Sequence, residues 1–313
     1  MIHIYVNSVH GLGQVATPVP GSWVNLSNPT YEELQSISQQ LSLPLDILTD
    51  PLDIDKRARC EADEGYFMII IRVPVQDPAG SHTMFFTVPL GIIVAHDVII
   101  TVCRRESDVL ADFIHNKVRN IHVAHHRRFV LQIFLRTALL YLRDLKEINI
   151  NASIVQEKLH RSMVNKHLLG LLALEKSLVY FTTSLRSNEL MIERLRKTPF
   201  FSLDDSEQDL LENVIVENRQ AIEVANIYNN ILAGMMGAFA SIINNNVNAV
   251  LKLLTSITII VAWPTLIFSM YGMNVHLPFQ EPENSYLGFT VVMLFTIVST
   301  VALVYIFIKR RWF

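Results

Sequence analysis

Small and polar residues recur at four- and three-residue spacing late in the chain and end at Tyr271-Gly272-Met273-Asn274. This spacing places them on one face of a helix, and we call this face the polar stripe. Its members are Asn230, Gly234, Gly237, Ser241, Asn244, Asn248, Leu251, Thr255, Thr258, Ala262, Thr265, Ser269 and Gly272. Such a stripe can bind an ion or pack against another helix.

The ion that suits these groups is a hydrated divalent cation. Magnesium sheds its water reluctantly, and neutral carboxamide and hydroxyl oxygens accept hydrogen bonds from that water without trapping the ion as carboxylates would. Asn274 offers such an oxygen, and Gly272 lets backbone carbonyls approach closely. Small residues also allow membrane helices to pack together, so both interpretations stand at this point.

Two uncharged segments flank the motif. Nineteen residues without a charge run from Leu253 to Tyr271, and twenty-three run from Tyr286 to Ile308. About 20 apolar residues cross the hydrocarbon of a bilayer, so each segment predicts a membrane span. The segment between them is short and contains prolines, which predicts a loop on the far side. Because the two spans of one chain cannot enclose a path, a stripe that lines a path for ions requires several copies of the chain.

The residues before the spans predict an α/β domain followed by long helices. Residues 1–130 contain runs typical of strands at 2–6, 23–26, 67–75, 84–88, 91–94 and 98–102, hence a sheet of about six strands. Thr30 and Glu33 form a capping-box pattern that predicts a helix start, and a second helix is expected over 107–118. Residues 131–200 predict paired helices.

Residues 201–271 predict one helix that enters the membrane at about 251–271, since no proline lies between Ser206 and Pro264. Ser202 or Ser206 is expected to cap it. A second, apolar row on this helix predicts a protein partner: Leu211, Ile215, Ile222, Ala225, Leu232, Met236, Phe239 and Ile243. The remaining boundaries are a loop at 272–285, a second span at 286–308 and a basic tail at 309–313.

Charge restricts the possible functions and the orientation. A net charge of −3 excludes a strongly basic nucleic-acid binder. Lys252 precedes the first span and Lys309, Arg310 and Arg311 follow the second, while the loop has no Lys or Arg. The positive-inside rule therefore predicts a multi-pass protein of the cell membrane with both termini in the cytoplasm. The start of the chain lacks the basic residues of a signal peptide.

Three weaker patterns have plainer interpretations. His115, His122, His125 and His126 match no closed zinc site, and an exposed junction is favoured. Gly11-Leu12-Gly13 follows a strand as a dinucleotide fingerprint would, but Pro18 and Pro20 forbid the required helix. Cys60 and Cys103 are expected to be reduced thiols.

An acidic cluster marks the start of the long helix: Asp204, Asp205, Glu207, Asp209 and Glu212. Carboxylates are favourable at a helix N-terminus, so a solvated helix cap is the favoured interpretation. A regulatory metal site between subunits is the alternative.

The Gly-Met-Asn motif after the first of two C-terminal spans resembles that of the CorA family of divalent-cation transporters. Further matches are Asn-Asn-Asn-Val-Asn at 244–248, Pro264 within the span, the ending Lys309–Phe313, and the regions 48–57 and 66–74. The likeness covers nearly the whole chain. It implies a homo-oligomeric, pentameric and funnel-shaped channel with ten membrane helices.

The resemblance also implies roles for particular residues. Gly272, Met273 and Asn274 correspond to the selectivity filter. The path would be lined by Asn248, Leu251, Leu254, Thr258, Ala262, Thr265 and Ser269. Among these, Asn248 matches a lower polar ring, Thr265 a hydroxyl ring, and Leu251 and Leu254 an apolar constriction where methionine is commoner. The family also uses a regulatory metal site between subunits, and the acidic cluster, with Asp204, Asp205, Asp209 and Glu212, is our candidate for it because it is the densest group of carboxylates before the spans.

The loop departs from the family pattern. His276-Leu277-Pro278-Phe279 stands where Met-Pro-Glu-Leu often follows the motif, which leaves Glu281 and Glu283 to attract cations.

Together these features predict a channel rather than an enzyme. It would admit magnesium, and also cobalt or nickel, passively under the membrane potential, and cytoplasmic divalent cation would gate it. Its partners would be copies of itself, the lipid bilayer and divalent metal ions, with no nucleic acid and no cofactor besides the transported and regulatory cation. The alternatives are a zinc transporter of the same superfamily and a non-conducting, membrane-anchored sensor.

Overall fold

The computed structural model describes residues 1–8, 11–63, 65–77, 83–161, 165–198, 201–273, 285–310 and 312. The chain divides into two units, Met1–Met235 and Met236–Phe313, and each is described by itself.

A seven-stranded sheet forms the centre of the first unit. Its strands are β1 (Ile2–Ser8), β2 (Gly11–Val15), β3 (Trp23–Ser27), β4 (Arg59–Asp63), β5 (Tyr66–Gln76), β6 (Phe85–Ala95) and β7 (Val98–Cys103). They lie in the order β2-β1-β3-β7-β6-β5-β4. Neighbours are antiparallel except β3 and β7, which run parallel.

The sheet differs from the six predicted strands in two ways. The edge strands β2 and β4 were not predicted, because their sequences are short and contain few of the β-branched residues typical of strands, Val15 alone in β2 and none in β4. The predicted runs 84–88 and 91–94 form one strand, β6, which continues through Pro89. Gly91 is required in this strand because Pro51 packs directly on it, where a Cβ atom would clash.

Helices cover both faces of the sheet. On one face, α1 (Tyr31–Gln40) and α2 (Leu45–Thr49) bury Leu34, Ile37, Ile47 and Leu48 against the strands, and a 3₁₀ turn follows at Asp50–Leu52. The other face is covered by α3 (Asp108–Ile114), α4 (His126–Arg161), α5 (Asn165–Leu195) and the start of α6 (Asp205–Tyr271). The three layers confirm the predicted α/β class.

Local capping residues set several helix starts. Thr30 and Glu33 form the predicted capping box at α1. Ser107 caps α3, which ends at Ile114 and not at the predicted residue 118. The helix α6 has 67 residues and begins at Asp205. Its first turn is capped by Asp204 and not by Ser202 or Ser206, since the Glu207 N–H donates to Asp204 Oδ1 at 2.7 Å.

The helix α5 is long and apolar, yet it packs on the sheet. By length and composition, three helices of the described residues could cross a membrane, namely α5, α6 and α7 (Ser285–Lys309). The apolar window of α5 is 39% buried, against 11% for α6 and 6% for the last helix. Ser177 Oγ accepts from the backbone N–H of Phe85 at 3.0 Å, and Asn188 bonds both peptide groups of Arg72 at 2.8 Å. These contacts place α5 in the core of the first unit.

The second unit contains the C-terminal part of α6 and the helix α7. The Trp263 indole on α6 donates to Ser299 Oγ on α7 at 3.0 Å. Ser256 and Ile267 on α6 and Thr296 on α7 are also buried, and they share the faces that carry this bond. In an apolar surrounding an indole N–H must find an acceptor, so the bond fixes which helix faces meet.

Candidate functional site

The polar stripe lies on the side of α6 that faces away from α7. Successive helix residues turn by about 100°, so a residue two positions after one that faces α7 lies about 200° around the helix. Thr258, Thr265 and Ser269 stand in this relation to Ser256, Trp263 and Ile267. All seven predicted lining residues are exposed, and they are Asn248, Leu251, Leu254, Thr258, Ala262, Thr265 and Ser269. Within one chain, α7 does not cover the stripe.

Two hydroxyl groups of the stripe, those of Thr258 and Thr265, have their hydrogens engaged within the helix. Thr258 Oγ1 donates to the Leu254 carbonyl at 2.8 Å, and Thr265 Oγ1 donates to the Val261 carbonyl at 2.9 Å. A hydroxyl that donates within its own helix keeps its oxygen lone pairs as acceptors. The stripe therefore presents oxygen acceptors, which suit a hydrated cation better than an anion.

The helix α6 ends at the filter motif. The Gly272 N–H bonds the Phe268 carbonyl at 2.9 Å, and the Met273 N–H bonds the Met270 carbonyl at 3.3 Å. Both residues are exposed, at the end of the stripe. Asn274, His276, Glu281 and Glu283 lie outside the described residues.

Members of the acidic cluster lie in different environments, since Asp204 caps α6 and Glu212 lines a cavity. Hydrogen bonds from the backbone N–H of Glu207 and from the Ser206 hydroxyl hold the pKa of Asp204 below its ordinary value, as expected of a helix cap. Glu212 instead lines a cavity of about 460 Å³ whose walls include Arg196, Lys197 and Arg219. Within one chain, the described residues contain no group of three or more His, Cys, Asp or Glu side chains that could hold a metal.

The histidines at the start of α4 are oriented differently from one another. The rings of His122 and His125 meet edge to face with centroids 5.9 Å apart. His126 Nε2 lies 3.6 Å from Asp97 Oδ1, and burial lowers the pKa of His126 more than Asp97 raises it.

The sequence of residues 21–310 matches the family described as "CorA-like Mg2+ transporter protein". The chain belongs to the CorA family. Its members are membrane transporters of divalent cations, so this CorA protein is a transport protein and not an enzyme, as predicted.

Relatives match along almost the whole chain. The "Cobalt/magnesium transport protein CorA" of Methanocaldococcus jannaschii is 27% identical over 297 residues, which are 93% of this chain and 90% of that protein. The solved CorA magnesium transporter of the same organism has a TM-score of 0.85 at 24% identity, covering 100% of this chain and 99% of that one. The ZntB cytoplasmic domain from Vibrio parahaemolyticus has a TM-score of 0.56 at 14% identity, covering 78% of this chain and 98% of that one. These two solved structures share their fold with the present chain.

The contact that orients the CorA helix pair was not predicted from sequence. Trp263 is the only tryptophan of the first span, and its indole N–H requires an acceptor there. The polar residues of the second span were the available signal for that acceptor, and Ser299 is one of them.

Proposed function

We propose that this chain forms a homo-oligomeric channel that conducts hydrated divalent cations, magnesium above all, along a path lined by the polar stripe. The observation that carries this proposal is the orientation of the stripe, exposed and opposite α7. A row of oxygen acceptors facing hydrocarbon would be costly, whereas the same row around a shared axis lines a water-filled path. The subunit number of five rests on the family resemblance alone.

We infer a topology of two spans, α6 from about residue 251 and α7, with both termini in the cytoplasm. The packing of α5 on the sheet supports its assignment to the cytoplasmic domain. Lys252 and Lys309 adjoin the two spans at their cytoplasmic ends, in agreement with the positive-inside rule. A membrane potential of 100 mV would then supply about 4.6 kcal/mol for each divalent cation.

The filter of this channel is assigned to Gly272, Met273 and Asn274, where carboxamide oxygens would orient the water shell of an entering ion. Leu251 and Leu254 would form the constriction, closing the path by excluding water. A relative is named a cobalt/magnesium transport protein, which supports cobalt as a secondary substrate. Nickel is a further candidate, and zinc is the alternative main substrate.

Ion flux into proteoliposomes tests the proposal. The purified chain is expected to admit magnesium faster than zinc when the membrane is polarised, with cobalt and nickel compared in parallel. Asn274→Ala should abolish magnesium uptake, because the acceptor that orients the water shell is lost. Asn246→Ala, two residues from both Asn244 and Asn248 and therefore on the opposite side of α6, serves as the matched control and should leave uptake unchanged.

Two results would contradict the proposal. Uptake by Asn274→Ala at the rate of the parent would remove the filter assignment. A chain that assembles in vesicles but conducts none of the four ions would instead be a membrane-anchored sensor.

A further inference from the structure

The second unit carries positive charges that no carboxylate in it balances. Its described residues, 236–273, 285–310 and 312, include Lys252, Lys309 and Arg310 but no Asp or Glu. None of these three cations forms an ion pair within the described part of the chain. Charged groups beside long apolar helices without a partner of opposite sign indicate an external counter-ion.

The helix register brings two of these cations to the same level. This step rests on the proposed two-span topology, in which consecutive crossings run in opposite directions. Trp263 contacts Ser299, Lys252 precedes Trp263 by eleven residues, and Arg310 follows Ser299 by eleven. At 1.5 Å per residue, both lie about 16 Å along the pair from this contact.

The same two cations also lie on the facing sides of the helices. Lys252 continues the row of Ser256, Ile260, Trp263 and Ile267, at helical spacing along the side that meets α7. On α7, Arg310 follows Phe307 by three residues on the row of Ser299, and its N–H bonds the Ile306 carbonyl at 2.9 Å as in a helix. Two like charges that converge at one end of a helix pair repel each other unless an anion lies between them.

The surroundings indicate what kind of anion. Trp312 stacks on Phe307 with ring centroids 5.3 Å apart and planes 7° from parallel, at the same end of the pair. Indole rings are favoured at the boundary between hydrocarbon and headgroups. An anion at this level therefore meets apolar helices on one side and water on the other, as the phosphate of a lipid does.

We propose that Lys252 and Arg310, assisted by Lys309, bind the headgroup phosphate of an anionic phospholipid at the cytoplasmic end of the helix pair. One phosphate bridges α6 and α7, so the lipid ties the helix that carries the polar stripe to the second helix. The site is selective for net negative lipid because a zwitterionic headgroup brings its own cation.

Lipid binding to the full chain tests this site. The purified protein in detergent is titrated with phosphatidylglycerol and with phosphatidylcholine of identical acyl chains, and bound lipids are counted by native mass spectrometry. The parent should prefer phosphatidylglycerol, and replacing one cation should weaken this preference about five-fold. Lys252→Gln and Arg310→Gln should act alike, and the triple variant with Lys309→Gln should show little preference.

Controls separate this site from general charge. The triple variant Lys158→Gln, Lys166→Gln and Lys176→Gln removes the same charge from the first unit and should keep the lipid preference. Inorganic phosphate at millimolar concentration should not displace the lipid, and displacement would assign the site to free phosphate. An unchanged preference in either single variant overturns the bridging site. Because no ion flux is measured, a failure of the channel proposal is seen separately.

Discussion

Asp144 lies buried on α4, where Arg143 Nε donates to its Oδ1 at 2.8 Å. Burial raises the pKa of Asp144 to about 6, although the charge and hydrogen bond of Arg143 act in the opposite direction. A carboxyl whose pKa is raised by folding stabilises the fold most below its unfolded pKa, and this contribution is lost as pH rises through about 6. At neutral pH the ionised group is therefore a cost.

Asp144→Asn removes that titration, so it should change how stability depends on pH. Relative to the variant, the parent should gain about 1 kcal/mol of unfolding free energy as pH falls from 7 to 5. Thermal unfolding of both proteins in detergent at three pH values measures this difference. Glu32→Gln, at an exposed position on α1, should show no such trend, and a flat difference for Asp144→Asn would contradict the burial argument.

Variants at Asp204 can distinguish a role in capping α6 from a role in binding a regulatory metal. An asparagine caps as well as an aspartate but brings no charge, so Asp204→Asn keeps the first turn of α6. If carboxylates from neighbouring subunits share a metal here, combining it with Asp205→Asn and Asp209→Asn should raise several-fold the magnesium concentration that closes the channel. Flux measured against cytoplasmic magnesium checks this. If the triple variant closes at the same magnesium concentration as the parent, these carboxylates act only as a helix cap.

The helix α5 is attached to the sheet by polar groups at helical spacing. Asn188 is buried, accepts from the Arg72 N–H and donates to the Arg72 carbonyl, both at 2.8 Å. Asn188→Leu leaves a buried strand N–H without this partner, which costs about 1–3 kcal/mol. Hydrogen exchange in α5 should then be about ten-fold faster.

The control for this change is Asn151→Leu. Within the described part of the chain, the Asn151 amide bonds only the Glu147 carbonyl of its own helix, at 3.0 Å, so exchange in α5 should stay at the parent rate. Equal acceleration in both variants would mean that α5 is not held by the Asn188 contact.

Elements with a regular hydrophobic pattern or a capping motif could be predicted from sequence. Elements that form only through pairing with neighbouring strands could not. Thr30 and Glu33 identified α1, the long run without proline before Pro264 identified α6, and the lack of charge identified α7. The strands β2 and β4 are held by pairing with β1 and β5, and few of their own residues favour a strand. The site is similarly divided: the stripe could be read from spacing, whereas its orientation depends on the Trp263 bond to Ser299.

In the assembled protein, the polar stripes of several chains should converge on one axis. In a background with Cys60→Ser and the fully buried Cys103 retained, Thr258→Cys should cross-link copies of the chain through a short bis-maleimide in membranes. Ile267→Cys, on the face that meets α7, should not. Gel mobility reports both results. Cross-linking through Ile267→Cys alone would place the shared axis on the face of α6 that meets α7, and it would contradict the proposed path along the polar stripe.

The single parallel ladder of the sheet has a consequence for the order of folding. The strands β1, β2 and β3 join the others only through β3 and β7, which are about 70 residues apart in the chain. At this seam the Trp23 indole donates to the Thr101 hydroxyl at 2.8 Å, and that hydroxyl donates to Asn25 Oδ1 at 3.1 Å. Contacts between distant segments form slowly because loop closure costs entropy before any contact compensates for it. We therefore expect the N-terminal hairpin of β1 and β2 to join the sheet only after β7 has formed, so that pairing of β3 with β7 completes the sheet late in folding.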